Sequence, residues 1–113
     1  MKSRNEQVIE KLISEAEQIR ILIGDETKEQ FLADERTKRA VCMTLINIGE
    51  LIKNLSEGFR LTHNDIPWKL IAGLRDVTAH KYQTLKMEDI WETATSDVPR
   101  LKQQLTDILA KQN

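Results

Sequence analysis

The residues whose types could do chemistry gather in one short stretch of the chain, from Arg75 to Tyr82. Arg75 supplies a permanent cation, because its guanidinium stays protonated and can donate paired hydrogen bonds to a phosphate. His80 supplies an imidazole that can take up or release a proton near neutral pH. Tyr82 adds a phenol that could donate to a phosphate or stack on a base. Together these groups are suited to handling a phosphodiester.

RNA is a phosphodiester that carries its own nucleophile, the 2′-hydroxyl group. Its cleavage needs a base that removes the proton of that hydroxyl, a cation beside the phosphoryl oxygens, and an acid that protonates the leaving 5′-oxygen. We therefore predict that Arg75 binds the phosphate and that His80 transfers protons. Asp76 follows Arg75 directly, and we predict that it orients Arg75 or His80. This chemistry requires no metal ion.

The spacing of the two catalytic candidates is not the spacing of one helix face. Each residue of an α-helix turns about 100°, so side chains five positions apart point about 140° away from each other. Arg75 and His80 can therefore converge only if the helix ends or distorts near Ala79. We predict that Arg75 lies inside a helix and that His80 lies at its C-terminal edge, where the helix dipole favours the imidazolium.

The same residues also have simpler interpretations. An Arg and a His five positions apart occur often by chance, as a solvated charge and a surface imidazole. The formal net charge of the chain is −1, so any RNA binding must come from a local basic patch. Two alternatives therefore remain open, a non-catalytic helical dimer that binds nucleotide or RNA, and a bare helical dimerisation domain.

The other reactive side chains are predicted to be structural. Cys42 is the one cysteine of the chain, which excludes an intrachain disulfide and a multi-cysteine zinc site and predicts a small buried hydrophobe. His63 is predicted to be a loop residue and not a metal ligand. Trp68 and Trp91 are predicted to be packing anchors, although Trp68 lies close enough to the motif to serve an interface. We expect no metal and no cofactor.

Composition predicts an all-α fold in a single domain over residues 1–113. Four Gly and two Pro interrupt a sequence rich in helix-forming residues, and no alternating strand pattern occurs. No apolar run approaches the length of a membrane span, and the N-terminus lacks a signal core. With one cysteine, the chain suits a reducing compartment. We therefore expect a cytoplasmic protein without a membrane partner.

Capping residues predict where the first helices begin. Ser3 to Glu6 has the capping-box form and predicts a helix over about residues 4–22 that stops near Gly24. Thr27 to Gln30 is a second capping box, predicted to open a short turn. Asp34 is predicted to cap the longest helix.

Gly and Pro predict where the later helices stop or bend. Gly58 is predicted to end the helix that Asp34 caps, and residues 59–66 are predicted to form a polar loop. Pro67 is predicted to lie in the first turn of the next helix. The last helical region is predicted to begin near Met87, and Pro99 is predicted to kink it or to split it with Asp97 as a new cap.

The motif Arg75-x4-His80-x-Tyr82 resembles the R-x4-H-x-Y motif of HepT-like toxins, which are α-helical ribonucleases of the HEPN superfamily. The resemblance covers nearly the whole chain, from residue 4 to about residue 110. Further matching segments, in the same order and spacing, are Ile48-Gly-Glu50, Ile66-Pro67-Trp68, Ile71-Ala-Gly-Leu-Arg75 and Asp89-Ile-Trp91…Val98-Pro99-x-Leu101.

This resemblance implies an antiparallel up-and-down bundle of four to five helices, with a kinked C-terminal helix, that pairs into a two-fold homodimer. The motif sites would face each other across a cleft between the protomers. The resemblance implies a metal-independent endoribonuclease in which Arg75 and His80 form the catalytic pair. Asp76 occupies the polar position after the Arg, and Lys81 would add positive charge for binding the RNA substrate.

The resemblance also implies a biological setting, the toxin of a type VII-like toxin–antitoxin system. Its usual partner is an MntA-like minimal nucleotidyltransferase antitoxin that transfers AMP to the motif tyrosine, which is Tyr82 here. The added bulk and negative charge would exclude a substrate phosphate. The alternative that fits the same partner is a non-catalytic nucleotide-binding or RNA-binding helical dimer, which serves as a subunit of the nucleotidyltransferase.

Overall fold

The computed structural model describes residues 2–69 and 84–111, and all regular secondary structure in these ranges is helical. The prediction of an all-α helical bundle is therefore confirmed. Within the described residues, no helix is both long and apolar enough to cross a membrane. The elements in chain order are α1 (Arg4–Ile23), α2 (Lys28–Ala33), α3 (Glu35–Lys53), α4 (Glu57–Thr62), α5 (Met87–Glu92), a π-helical turn (Thr93–Asp97) and α6 (Val98–Lys111).

Helices α1 and α3 form the antiparallel centre of the bundle. The Asn5 side chain, at the start of α1, accepts from the Ser56 N–H and donates to the Ser56 hydroxyl, both at 3.1 Å. Ser56 follows the end of α3, so the start of one helix lies beside the end of the other. Helix α6 also packs along α1, and an ion pair between Lys102 and Glu17 joins these two helices.

The core lies between α1, α3 and the C-terminal helical region. The side chains that fill it are mostly aliphatic, because removing apolar surface from water is favourable and such side chains pack densely. Helix α2 adds one aromatic ring, Phe31, which lies 5.2 Å from the ring of Trp91. The largest fully buried side chains are Ile9, Leu12, Ile19, Phe31, Val41, Leu45, Ile48, Ile52, Leu55, Leu101 and Leu105.

The predicted caps of the first three helices are confirmed. The Ser3 hydroxyl accepts from the Glu6 N–H at 3.1 Å, although the Glu6 carboxylate accepts from that hydroxyl and not from the Ser3 backbone. The predicted capping box from Thr27 to Gln30 is complete. Asp34 accepts from the Thr37 N–H at 3.1 Å. The helix it caps has 19 residues, one fewer than α1, so it is not the longest helix described.

The predicted stop at Gly58 is wrong, and the predicted loop over residues 59–66 is wrong for residues 59–62, while residues 63–66 are non-helical as predicted. Helix α3 ends at Lys53, and α4 begins at Glu57. Ser56 caps the start of α4, because its hydroxyl accepts from the Phe59 N–H at 3.1 Å. Gly58 therefore lies inside α4. The two residues that directly follow Pro67, Trp68 and Lys69, are helical. Pro67 was predicted to lie in the first turn of this helix, and it lies immediately before that turn, a difference of one residue.

The predicted distortion near Pro99 takes the form of a π-helical turn. The Val98 N–H donates to the carbonyl of Thr93, five residues back, in place of the usual four. Proline has no N–H, and its ring clashes with the carbonyl four residues before it in a regular α-helix. A widened turn just before Pro99 accommodates both constraints. The alternative in which Asp97 caps a separate helix is wrong, since Asp97 lies inside the π-helical turn.

Candidate functional site

The predicted site residues lie in the segment from residue 70 to residue 83, outside the described residues. The predicted helix end near Ala79 lies in the same segment. The roles assigned from the sequence therefore stay predictions, while the structure describes the residues on both sides of the segment. The site residues concerned are Arg75, Asp76, His80, Lys81 and Tyr82.

The N-terminal flank of this segment is anchored by Trp68. Its ring is buried, and its Nε1–H donates to the carbonyls of Arg60 at 3.2 Å and His63 at 3.0 Å. Both carbonyls belong to the C-terminal end of α4, where the last turn of a helix leaves its acceptors without intrahelical partners. Trp68 is therefore a packing anchor, as predicted, and it also caps α4 from outside the helix.

Aromatic contacts hold α4 against this tryptophan. The ring of Phe59 lies 4.5 Å from the imidazole of His63 and 6.2 Å from the ring of Trp68. His63 is the C-cap of α4 and lies in the turn that follows the helix, as predicted for a loop residue. Among residues 2–69 and 84–111, no group of three or more His, Cys, Asp or Glu side chains is arranged to hold a metal ion.

The C-terminal flank of the segment is anchored by apolar side chains. Leu85 and Met87 are partly buried against the core, and Ile90 in α5 is buried. The ring of Trp91 packs on Phe31, which confirms the prediction that Trp91 is a packing anchor. The described residues on both sides of the segment that carries the motif are therefore packed against the core.

A cleft beside the N-terminal flank, here called the α4 cleft, has a volume of about 490 Å³. Its wall includes Leu61, whose side chain is 65% exposed. The cleft was not predicted from the sequence, because residues 59–66, which form half of its lining, were predicted to be a polar loop. Ser56 followed by Glu57 was the available signal, since a serine cap with an acid in the first turn marks a helix start. The lining residues are Glu57, Arg60, Leu61, Asn64, Ile66, Pro67, Trp68 and Lys69.

The charges of the α4 cleft are mostly positive. Arg60 and Lys69 line it, and neither makes an ion pair with any residue in the described parts of the chain. The Nε atom of Arg60 is buried without a hydrogen-bond partner. Glu57 is the one carboxylate among the described lining residues. The described lining of the cleft thus combines a net positive charge with apolar walls.

Cys42 does not contribute a nucleophile to this region. Its side chain is buried in α3, as predicted, and burial raises the pKa of the Cys42 thiol to about 11. The thiolate, which is the reactive form, is therefore disfavoured at neutral pH.

Comparison with known proteins places the chain among ribonuclease relatives. The family described as "Ribonuclease HepT-like" matches residues 12–108. A protein of Caldanaerobacter subterraneus subsp. tengcongensis named "Putative RNase" is 42% identical over 84 residues, which cover 74% of this chain and 75% of that protein. A Thermococcus cleftensis protein named "Probable ribonuclease HepT" is 33% identical over 102 residues, covering 90% and 93%. No solved structure matches the chain significantly.

Proposed function

The chain belongs to the HepT-like ribonuclease family, and from that membership we propose that it is a metal-independent endoribonuclease acting as the toxin of a type VII-like toxin–antitoxin system. One observation carries the proposal. The residues Arg75, His80 and Tyr82 stand in the R-x4-H-x-Y spacing, inside the range of residues that the family matches. The ribonuclease names of the similar proteins support the same activity.

The proposed reaction is an internal transesterification of RNA. His80, as general base, takes the proton of the 2′-hydroxyl, and the 2′-oxygen forms a bond to the neighbouring phosphorus. The bond from phosphorus to the 5′-oxygen breaks, and that oxygen takes up a proton. The products carry a 2′,3′-cyclic phosphate and a free 5′-hydroxyl. Arg75 binds the phosphoryl oxygens and stabilises the charge that develops on them.

One histidine cannot serve easily as base and acid in the same step. We propose that the active form is a homodimer in which the two motif segments share one groove. The second proton transfer then falls to His80 of the other protomer, to Tyr82, or to water. Asp76 orients the catalytic pair, and Lys81 adds positive charge for RNA binding. Two copies of Arg75 and Lys81 would supply the local basic patch that a chain of net charge −1 requires.

We propose that a cognate MntA-like minimal nucleotidyltransferase neutralises the enzyme in the cytoplasm. The phenolic oxygen of Tyr82 would attack the α-phosphorus of a nucleoside triphosphate, with release of pyrophosphate and of the phenolic proton. The resulting phosphodiester carries bulk and negative charge two residues from His80. Both would keep an RNA phosphate out of the site.

The proposal is tested by inducing the wild-type protein, His80→Ala, Arg75→Lys and Tyr82→Phe in separate cultures and following growth and total RNA. With purified protein in EDTA, His80→Ala should lose about 10²-fold or more in cleavage rate, the usual scale for one acid–base group. Arg75→Lys should also be impaired, because one ammonium does not reproduce the bidentate guanidinium. Products of wild type should end in 2′,3′-cyclic phosphate.

The same experiment decides against the proposal if His80→Ala and Arg75→Lys cleave RNA and arrest growth as wild type does. If wild type binds RNA tightly but leaves it intact over hours, the protein is the non-catalytic binding dimer of the alternative hypothesis. Tyr82→Phe should remain toxic when the nucleotidyltransferase is produced with it, because it lacks the acceptor oxygen.

A further inference from the structure

We propose that the α4 cleft is an RNA-binding subsite that holds a nucleotide flanking the scissile phosphate. This inference rests on the proposed function, since it assumes that RNA is the ligand of the motif segment. It adds residues that the motif does not contain. Arg60 and Lys69 would bind backbone phosphate, Leu61 and Pro67 would contact a base, and Asn64 would reach the edge of that base.

The charges of the cleft favour a phosphate ligand. Arg60 and Lys69 line the same cleft and make no ion pair with a carboxylate among the described residues, whereas some surface cations are paired along their own helix. Examples of such pairs are Arg20 with Glu17 and Lys38 with Glu35. A phosphodiester backbone is attracted chiefly by unpaired Lys and Arg side chains. The formal net charge of the chain is −1, so two cations that line one cleft without an ion-pair partner in the described parts of the chain are a local source of attraction.

The apolar wall of the cleft suits a splayed base. Leu61 is 65% exposed, beside the exposed ring of Pro67. Proteins that bind single-stranded RNA stack unpaired bases on aromatic side chains, and enzymes that extrude a base hold it between aromatic or apolar ones. The Asn64 amide offers donors and an acceptor to the edge of such a base. Trp68 supports the wall and is not itself the platform, since its ring is buried and its Nε1–H is used by α4.

The position and size of the cleft also fit one nucleotide of a longer strand. Six peptide links separate Lys69 from Arg75 in the sequence. At 3.8 Å for each link, their Cα atoms are at most about 23 Å apart, within the span of a few nucleotides. The cleft volume of about 490 Å³ lies within the roughly 300–1,000 Å³ typical of small-molecule sites. A protein partner would need a much broader surface, of roughly 800 Å² on each side.

The test measures binding separately from cleavage. A fluorescein-labelled single-stranded RNA with 2′-O-methyl groups throughout cannot be cut, because its 2′-oxygens carry no proton to remove. Its Kd is measured by anisotropy at several salt concentrations for wild type, Lys69→Ala and Leu61→Ser. Both substitutions fall on exposed side chains, so folding should be retained. The matched controls are Lys28→Ala in α2 and Ile21→Ser in α1, a lysine and a large hydrophobe that are also exposed.

Lys69→Ala should raise Kd about 3- to 10-fold and reduce the slope of log K against log salt by about 0.7, the change expected for one lost phosphate contact with single-stranded RNA. Leu61→Ser should raise Kd about 5-fold or more without changing the slope, because it removes an uncharged contact. The two controls should bind as wild type does. With cleavable RNA, both cleft variants should raise KM more than they lower kcat.

The outcomes separate this inference from the proposed function. If wild type binds the RNA without cutting the cleavable form, and the cleft variants lose affinity, the subsite stands and the nuclease proposal falls. If wild type cuts RNA and the cleft variants match it in Kd and KM, the subsite proposal falls alone. Failure of wild type to bind the methylated RNA would also contradict the subsite proposal. A cleft variant that keeps its affinity for RNA but no longer binds a protein partner would contradict it as well.

Discussion

Two regions of the molecule satisfy their polar groups in different ways. One is the pair of helices α1 and α3, and the other, here called the α4 corner, is formed by α4 and Trp68. In the α1–α3 pair, each helix begins at its own cap, Ser3 or Asp34, and its inner face is filled with buried aliphatic side chains. In the α4 corner, the last carbonyls depend on the indole of Trp68, the cations of the cleft have no carboxylate partners among the described residues, and Leu61 faces solvent.

This difference separates a region that stabilises the fold from a region that presents groups to a ligand. Burial of large side chains supplies most of the free energy of folding. Exposed apolar side chains and unpaired charges contribute little to that free energy, and where they line one cleft together they are typical of a binding site. The α4 corner lies directly before the segment that carries the motif. This position agrees with a role of the α4 corner in ligand binding and a role of the α1–α3 pair in stability.

The largest expected effect is on stability, and it contrasts two leucines. Leu45 in α3 is 1% exposed, whereas Leu61 in α4 is 65% exposed. Leu45→Ala should lower the free energy of unfolding by about 2–5 kcal/mol, since it removes buried contacts and leaves a cavity. Leu61→Ala should change it by about 0.5 kcal/mol or less. Urea unfolding at one fixed protein concentration measures both, because a dimer's stability depends on concentration.

The same two variants should reverse their order in RNA binding. Leu61→Ala should weaken binding of the methylated RNA, while Leu45→Ala, measured well below its unfolding midpoint, should bind as wild type does. If the two substitutions cost similar stability, the contrast between the regions is wrong.

A smaller effect is expected from Trp68→Phe. Phenylalanine fills most of the space of the ring but has no N–H, so the carbonyls of Arg60 and His63 lose a donor in a partly buried site. The expected loss is about 1–3 kcal/mol of unfolding free energy. Amide hydrogen exchange should become faster in α4 and remain unchanged in the middle of α1 and α3.

The control for this prediction is Trp91→Phe. Among the described residues, the Trp91 indole N–H has no hydrogen-bond partner, and its ring contact with Phe31 can persist in the variant. Faster exchange throughout the bundle in Trp68→Phe would show that the α4 corner is part of the stability core and is not a separate support.

The smallest effect concerns Glu17 on the surface between α1 and α6. Hydrogen bonds from Arg20 and then Lys102 lower the pKa of the Glu17 carboxyl to about 2, below the roughly 4.3 of a free glutamate. A carboxyl whose pKa is lower in the folded state than in the unfolded state stabilises the fold at any pH above its unfolded-state pKa. This stabilisation is lost as the pH falls through the folded-state pKa. The contribution should therefore fade between about pH 4.5 and pH 2.

Glu17→Gln should therefore lower the thermal midpoint at pH 6 and approach wild type near pH 2. The effect should be small and should shrink in high salt, because exposed ion pairs are screened. Glu29→Gln is the control, since Glu29 is exposed in α2 and makes no ion pair among the described residues. A constant difference between Glu17→Gln and wild type across this pH range would contradict the prediction.

Local signals predicted much of the α1–α3 region and little of the α4 corner. The start of α1 after Ser3 is confirmed, and its end lies one residue beyond the predicted limit, beside Gly24 with φ of 55°. These signals work because a capping side chain and its N–H partner are only three residues apart. Helix α4 has six residues, too few to be stable alone in water.

The ends of α4 depend on contacts from elsewhere in the chain. Ser56, which caps its start, is held by Asn5, 51 residues away, and its last carbonyls are held by Trp68. Neither contact can be read from the spacing of neighbouring residues. The π-helical turn before Pro99 is similar, since the sequence shows that a proline must disturb the helix but not which distortion the packing against α1 selects.

The sequence by itself determined the helical class, the first three caps, the burial of Cys42 and the family motif, because each depends on residue type and short-range spacing. Tertiary structure alone decided that residues 57–62 form a helix, that Trp68 caps it, and that Arg60, Leu61 and Lys69 share one cleft. The physical reason is that a cleft is made by side chains from separate elements. Their proximity is fixed by packing and by long-range hydrogen bonds, and not by their order in the chain.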